Sequence, residues 1–297
     1  MKRSKSILLT ATIAFGLSAM ASWSASATTL FSDNFVTDTS LGSEYGNINN
    51  TTAATVTEVN GTGLEMNVSA GTGKTSEEFA QFGSAVTLTE GESLILTVAF
   101  SGVNVSLDTG YIMAGLYNTQ GTVNTTTETS TATGGATAND TGYFGNVGYG
   151  SYANGGNKFY ARTPGGSMYD ELTYYSHETG SYTQVGTTLA QAGNGDMADY
   201  TPYILTFTIS DLGAGGNDIT EEITDASDNV LGGDMWTVND PSSTFTSFDE
   251  LAFGFYGKSQ MVDGTVTSVS VALVPEPSIF AFAGLGLAGL VLRFRRR

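Results

Sequence analysis

The 297-residue chain predicts an all-β fold, an antiparallel two-sheet sandwich, flanked by an N-terminal signal helix and a short C-terminal transmembrane helix. Three observations point there. Apolar residues recur with a period of two in several stretches, the spacing that lines one face of a strand. Gly (38 residues), Thr, Asn and Ser are abundant and Lys is scarce, which suits strands joined by many turns. The middle of the chain carries no apolar helical repeat and no recurring unit, which argues against bundles, propellers and solenoids.

The chain divides as residues 1–27, 28–273 and 274–297. In the first segment Lys2, Arg3 and Lys5 precede an apolar run over 7–20, and small residues lead to Ala25-Ser26-Ala27. A positive start, a short apolar centre and an A-x-A end read as a secretory signal peptide cut after Ala27, with Ala25 and Ala27 as the small residues the cut requires. Ala19-Met20-Ala21 is a second candidate cut. The partners this implies are the Sec translocon and signal peptidase.

The middle segment holds the strands. Leu94, Leu96, Val98 and Phe100 alternate with Ile95, Thr97 and Ala99. Tyr203, Leu205, Phe207 and Ile209 alternate with Ile204, Thr206 and Thr208, and Leu251, Phe253 and Phe255 with Ala252 and Gly254. Val269, Val271 and Leu273 close the series. Each set is a strand with one face inward and the other toward solvent or a second layer. Shorter candidates lie at 65–68, 86–88, 112–117, 158–162 and 219–223. Glu90-Gly91-Glu92 is expected to fold 86–88 back on 94–100 as a hairpin. Residues 121–142, mostly Thr, Ala, Gly and Asn, read as a long loop.

In the last segment Pro275-Glu276-Pro277 precedes an apolar run over 279–292, and Arg293, Arg295, Arg296 and Arg297 close the chain. As a helix the run spans about 21 Å, short of a hydrocarbon core of about 30 Å. Arginines that snorkel make up part of the difference and keep that end on the cytoplasmic side. Gly284 and Ala288 form a small-xxx-small pair that permits close helix approach.

Charge follows the same division. Residues 1–27 and 275–297 each carry +3, and the body between them sets 28 acids against Lys74, Lys158, Arg162 and Lys258, for −24. A body this acidic is not built for nucleic acid, whose phosphates need clustered Lys and Arg. The chain has no Cys, so disulfides, thiolate metal sites and a Cys nucleophile are excluded.

The tail resembles the PEP-CTERM sorting signal of Gram-negative bacteria, with Pro275-Glu276-Pro277, the short apolar helix and the Arg cluster in order. The resemblance implies recognition by an exosortase, a membrane transpeptidase-like enzyme, in a species that makes extracellular polysaccharide. It also implies transient inner-membrane anchoring before release to the cell surface or extracellular matrix. The body resembles a concanavalin/laminin-G-like jelly roll at Leu30-Phe31-Ser32-Asp33-Asn34-Phe35, at Ile112-Met113-Ala114-Gly115-Leu116-Tyr117 and over 267–273. In that fold the first and last strands lie side by side.

Chemistry is sparse. The single His, His177, has no flagged nucleophile or co-ligands, and no G-x-S-x-G, H-E-x-x-H or P-loop pattern occurs. Paired carboxylates would suffice for glycoside hydrolysis, and the candidates are Asp170-Glu171, Asp249-Glu250 and Glu221-Glu222. Adjacent acids on a strand point to opposite faces, and the alternating-acid strand of laminarinase-like enzymes is absent. No catalytic residue is therefore assigned. Asp and Asn cluster at 193–199, 211–218 and 225–229, in loops that offer the oxygen donors calcium takes, although turns favour the same residues; no cofactor or metal site is assigned. Tyr143, Phe144, Tyr149, Tyr152, Phe159, Tyr160, Tyr169, Tyr174 and Tyr175 are candidates for stacking on sugar rings, with core packing as their alternative role.

The expectation is an exported cell-envelope or extracellular-matrix protein that is non-enzymatic, with a surface-structural role or a role in binding surface polysaccharide. The alternative is a polysaccharide-active glycoside hydrolase or lyase of the same fold.

Overall fold

The structure, a computed structural model, describes residues 26–37, 41–49, 54–68, 74–101, 110–122, 136–149, 157–164, 182–189, 197, 201–231, 235–242, 245–257 and 262–275. Its sandwich unit is Thr28–Leu273. The expected signal helix and C-terminal helix fall outside the described residues, as do His177 and Asp170-Glu171.

The strands are β1 (Thr28–Asp33), β2 (Tyr45–Asn49), β3 (Ala54–Val59), β4 (Gly63–Val68), β5 (Lys74–Thr87), β6 (Ser93–Ser101), β7 (Gly110–Asn118), β8 (Thr141–Tyr149), β9 (Asn157–Arg162), β10 (Tyr182–Leu189), β11 (Tyr203–Asp211), β12 (Asn217–Asp225), β13 (Trp236–Asp240), β14 (Ser247–Gly257) and β15 (Val262–Val274). Among the described residues the helical elements are 3₁₀ turns at Ala136–Asn139 and Gly213–Gly215.

Two antiparallel sheets form. The first runs β13-β12-β11-β6-β15-β4-β3, with β1 also on β15. The start of β15 pairs with β4 and its end with β1, so β1 and β4 follow one another along one border of β15. The second runs β10-β9-β8-β7-β14-β5-β2. The first and last strands are thus neighbours, as the jelly-roll resemblance implies.

The period of two decides what each face does. In β6 and β11, Leu94, Leu96, Val98, Phe100, Leu205, Phe207 and Ile209 are buried, while Ile95, Thr97, Thr206 and Thr208 are half-buried on the far side. They meet Ile112, Ala114, Leu116, Leu251, Phe253 and Phe255 of β7 and β14 in one core between the sheets. Each large side chain buried there contributes roughly 1.5–3 kcal/mol relative to exposure.

The expected hairpin at Glu90-Gly91-Glu92 does not form. β5 belongs to the second sheet and β6 to the first, so the turn carries the chain across the sandwich. Its backbone is held by other partners: Leu88 N–H donates to Thr246 O (2.7 Å), Gly91 N–H to Asp211 O (2.7 Å) and Asp211 N–H to Glu92 O (3.0 Å). A polar Gly turn marks a reversal but not which sheet receives the next strand.

Candidate functional site

The first feature is the end where the chain enters and leaves the sandwich. Thr28 pairs with Leu273 and Thr29 with Ala272. Ala27 precedes β1 directly and Pro275 follows β15 directly. Ala25, Glu276, Pro277, Arg293, Arg295, Arg296 and Arg297 lie outside the described residues.

The second is a cleft of about 440 Å³ between the outermost strands of the two sheets, β10 and β13, lined by Thr183, Gln184, Val185, Asn239, Asp240 and Phe245 among others. Its polar floor is fixed. The Tyr143 hydroxyl donates to Asp240 Oδ2 (2.9 Å), and the Ser242 hydroxyl and N–H donate to Asp240 Oδ1 (2.8 and 3.2 Å). Asn217 Nδ2 donates to Phe245 O (2.7 Å), and Phe245 packs edge-on against Tyr143 at 5.4 Å. These bonds hold Asp240 from behind, while Thr183 and Gln184 are exposed at the rim with Asn239, whose amide donates to Asp218 Oδ1 (2.9 Å) and Gly215 O (3.2 Å). An aromatic wall, amides, hydroxyls and one carboxylate are groups that hydrogen-bond and pack against a polyhydroxylated ring. Sequence reading singled out Tyr143 for sugar stacking and Asn217 within the 211–218 cluster, but not Asp240 nor their meeting, because the three come from separated strands. The Asn239-Asp240-Pro241-Ser242 run has the composition of a turn and is the sign that could have pointed to Asp240.

The third is the outer face of the second sheet. Phe79, Tyr111, Met113, Tyr117, Phe144, Tyr160, Tyr182 and Tyr256 form a second buried cluster there. Phe144 and Tyr160 stack at 4.8 Å, and Arg162, itself fully buried, lies 5.5 Å from the Tyr182 ring and donates to Thr137 O. Of the aromatics proposed for sugar stacking, Tyr143 and Phe159 face the inner core and Phe144 and Tyr160 this outer face, and all four are buried. The side chains of Tyr149, Tyr152, Tyr169, Tyr174 and Tyr175 lie outside the described residues.

The carboxylates are dispersed. Asp249 accepts from Thr119 N–H (2.8 Å) and its hydroxyl (2.9 Å). Glu250 lies opposite Tyr117, a residue of the outer cluster. Glu221 occupies an inner-face position of β12 between Phe207 and Trp236. Neither of its oxygens has a hydrogen-bond partner. Gly145 opposite leaves it room, since a Cβ there would sit 2.6 Å from Glu221 Oε2. Burial pushes its carboxyl well above the usual range, and that of Glu78 on β5 likewise.

Of the three loops considered for calcium, 193–199 lies outside the described residues except Met197. In the other two, local turns take up oxygens. Asp211 Oδ1 accepts from Gly213 N–H (2.6 Å). Asp225 accepts from the Asn229 side chain, Asn229 N–H and Ser227 N–H, and these bonds lower its pKa, the side chain most. Among the described residues no three acidic or His side chains gather as a metal would require, and no helix is long and apolar enough to cross a membrane.

Comparison with known proteins finds similar solved structures for the body and a motif for the tail. Among solved structures the chain is similar to the carbohydrate recognition domain of Emp47p (9% identical, covering 84% of this chain and 98% of that one, TM-score 0.43). It is similar to a legume lectin-like domain from Entamoeba histolytica (15% identical, 77% and 89% covered, TM-score 0.41). A third is the CBM2 module of the evolved Dit of Lactobacillus casei BL23 phage J-1 (10% identical, 83% and 95% covered, TM-score 0.46). No curated protein matches the sequence. Residues 273–297 match the PEP-CTERM protein-sorting motif.

Proposed function

We propose that this chain is an exported envelope or extracellular-matrix protein, anchored in the inner membrane by its tail until an exosortase releases it. The match of residues 273–297 to the sorting motif carries this reading. Pro275-Glu276-Pro277 is the recognition element, residues 279–292 the anchor, and Arg293, Arg295, Arg296 and Arg297 the topology lock. In release, one peptide bond breaks, the acyl group passes to water or an acceptor amine, and the departing segment leaves with a new amino terminus. Replacing Pro275-Glu276-Pro277 by alanines is expected to leave the tail uncleaved; normal processing of that variant contradicts the reading.

The sandwich itself is a non-enzymatic binder of neutral glycan, and the cleft between β10 and β13 is its binding site. The fixed Tyr143–Asp240–Ser242 floor and the exposed amide and hydroxyl rim support this reading. A −24 body favours neutral over acidic polysaccharide. A glycan array scored for both binding and hydrolysis tests it. Retention of neutral glycans, weakened about tenfold or more in Thr183→Ala with Gln184→Ala, is expected for the loss of two hydrogen-bonding side chains. Hydrolysis of a bound glycan would favour the enzyme instead.

A further inference from the structure

The strand ends that lead to the two expected cuts are register partners. Thr28, the first residue after the expected signal cut, pairs with Leu273, and Pro275 lies two residues beyond that pair. An enzyme that cuts a peptide bond takes its substrate as an extended chain with residues on both sides of the bond in its site. A strand still bonded into a sheet cannot be taken that way. The residues that directly precede the motif are 272–274, the last of β15.

This strand end is also weakly tied. The register between β1 and β15 shifts between Thr29 and Phe31, so Leu30 is a bulge. Inside the bulge Phe31 packs on the core and its partner Val271 is fully buried. Outside it, Thr28 and Thr29 are exposed, and Ala272, Leu273 and Val274 are half-buried. Opening can therefore stop at Val271, leaving the fully buried residues in place and lifting only Leu273 from the edge of the core. It frees residues 272–274, about 10 Å of extended chain. β15 is bordered by β6 on its other side, so both neighbours let go of these residues, and the half-buried Leu273 keeps the open form a minor one.

We propose that this end of the sandwich is the surface that meets the membrane-bound sorting enzyme, and that it works as a processing gate. The motif is cut when residues 272–274 peel from the sheet, and the pairing of Thr28 and Thr29 with Leu273 and Ala272 holds the tail back. The proposal rests on the reading of residues 273–297 as a sorting signal.

The test follows the full-length chain by pulse-chase in cells that process it, timing the loss of the tail. Thr29→Cys with Ala272→Cys places a cross-strand disulfide over the gate; this form is expected to be processed about tenfold more slowly, because a tied strand end cannot fray. Inserting Gly-Ser-Gly-Ser between Val274 and Pro275 is expected to speed the native chain and to restore the cross-linked one. Equal rates for cross-linked and native chains would overturn the gate. So would a cross-linked chain that the insertion does not restore, since its defect would then be misfolding. The alanine variant of Pro275-Glu276-Pro277 runs alongside, and its normal processing would sink the sorting reading itself rather than the gate.

Discussion

The two sheets are built to different rules. In the first, β6, β11 and β12 alternate buried and half-buried residues along their whole length, and the far face carries Thr, Ser and Glu. Hydroxyls pair across it, as between Ser93 and Ser210 (2.7 Å) and between Thr220 and Thr237 (3.0 Å). In the second, residues 111–117, 142–148 and 251–256 are buried without interruption. That sheet packs Leu and Phe inward and a Tyr-rich cluster outward. Glycines make the outward packing feasible: a Cβ on Gly115 would collide with the Tyr117 hydroxyl at 2.5 Å. The same antiparallel pairing thus yields one sheet that faces water and one that behaves as interior on both sides.

Substitutions can break or sharpen that contrast. The largest effect is expected at Phe144, on the outer face of the second sheet, where Phe144→Ala should cost about 3–5 kcal/mol in urea unfolding, as a core truncation does. A loss below about 0.5 kcal/mol would mean that this face is not interior. Asp249→Ala should cost about 1–3 kcal/mol, because it leaves the buried Thr119 N–H without its acceptor and the Thr119 hydroxyl with only the donor Gln81 Nε2. A pH-dependent change comes next. The folded carboxyl of Glu221 holds its proton above the unfolded value of about 4.3. The stability this group contributes is therefore full below that pH and is lost as pH rises through its raised folded value. Glu221→Gln should match the native chain near pH 4 and exceed it increasingly toward neutrality, read as unfolding midpoints against pH; parallel curves would contradict a neutral buried carboxyl. The smallest effect is expected on the outer face of the first sheet, where Thr208→Ala should change stability by less than about 0.5 kcal/mol.

Legibility followed that contrast only in part, since Leu251, Phe253 and Phe255 of β14, in the second sheet, showed the same alternation as β6 and β11. β6, β11 and β15 could be read because a water-facing sheet writes its alternation into the sequence. β8 (TGYFGNVGY) and β10 (YTQVGTTL) went unread because Gly and Thr interrupt any apolar rhythm. Of the 14-residue β5 only its last two residues fell within a stretch read as a strand, 86–88, since Glu77 and Glu78 stand where buried residues were needed. The sorting tail was legible because its signal is a linear order of residues. The cleft was not, because distant strands assemble it, as Tyr143 and Asp240 do across 97 residues.

The most direct test of the account is the intact mass of the protein recovered from the cell envelope or matrix. Export followed by sorting predicts a chain that begins at Thr28 and ends near Pro275-Glu276-Pro277, without the apolar run and the arginines. A recovered protein that retains Arg297 would contradict it.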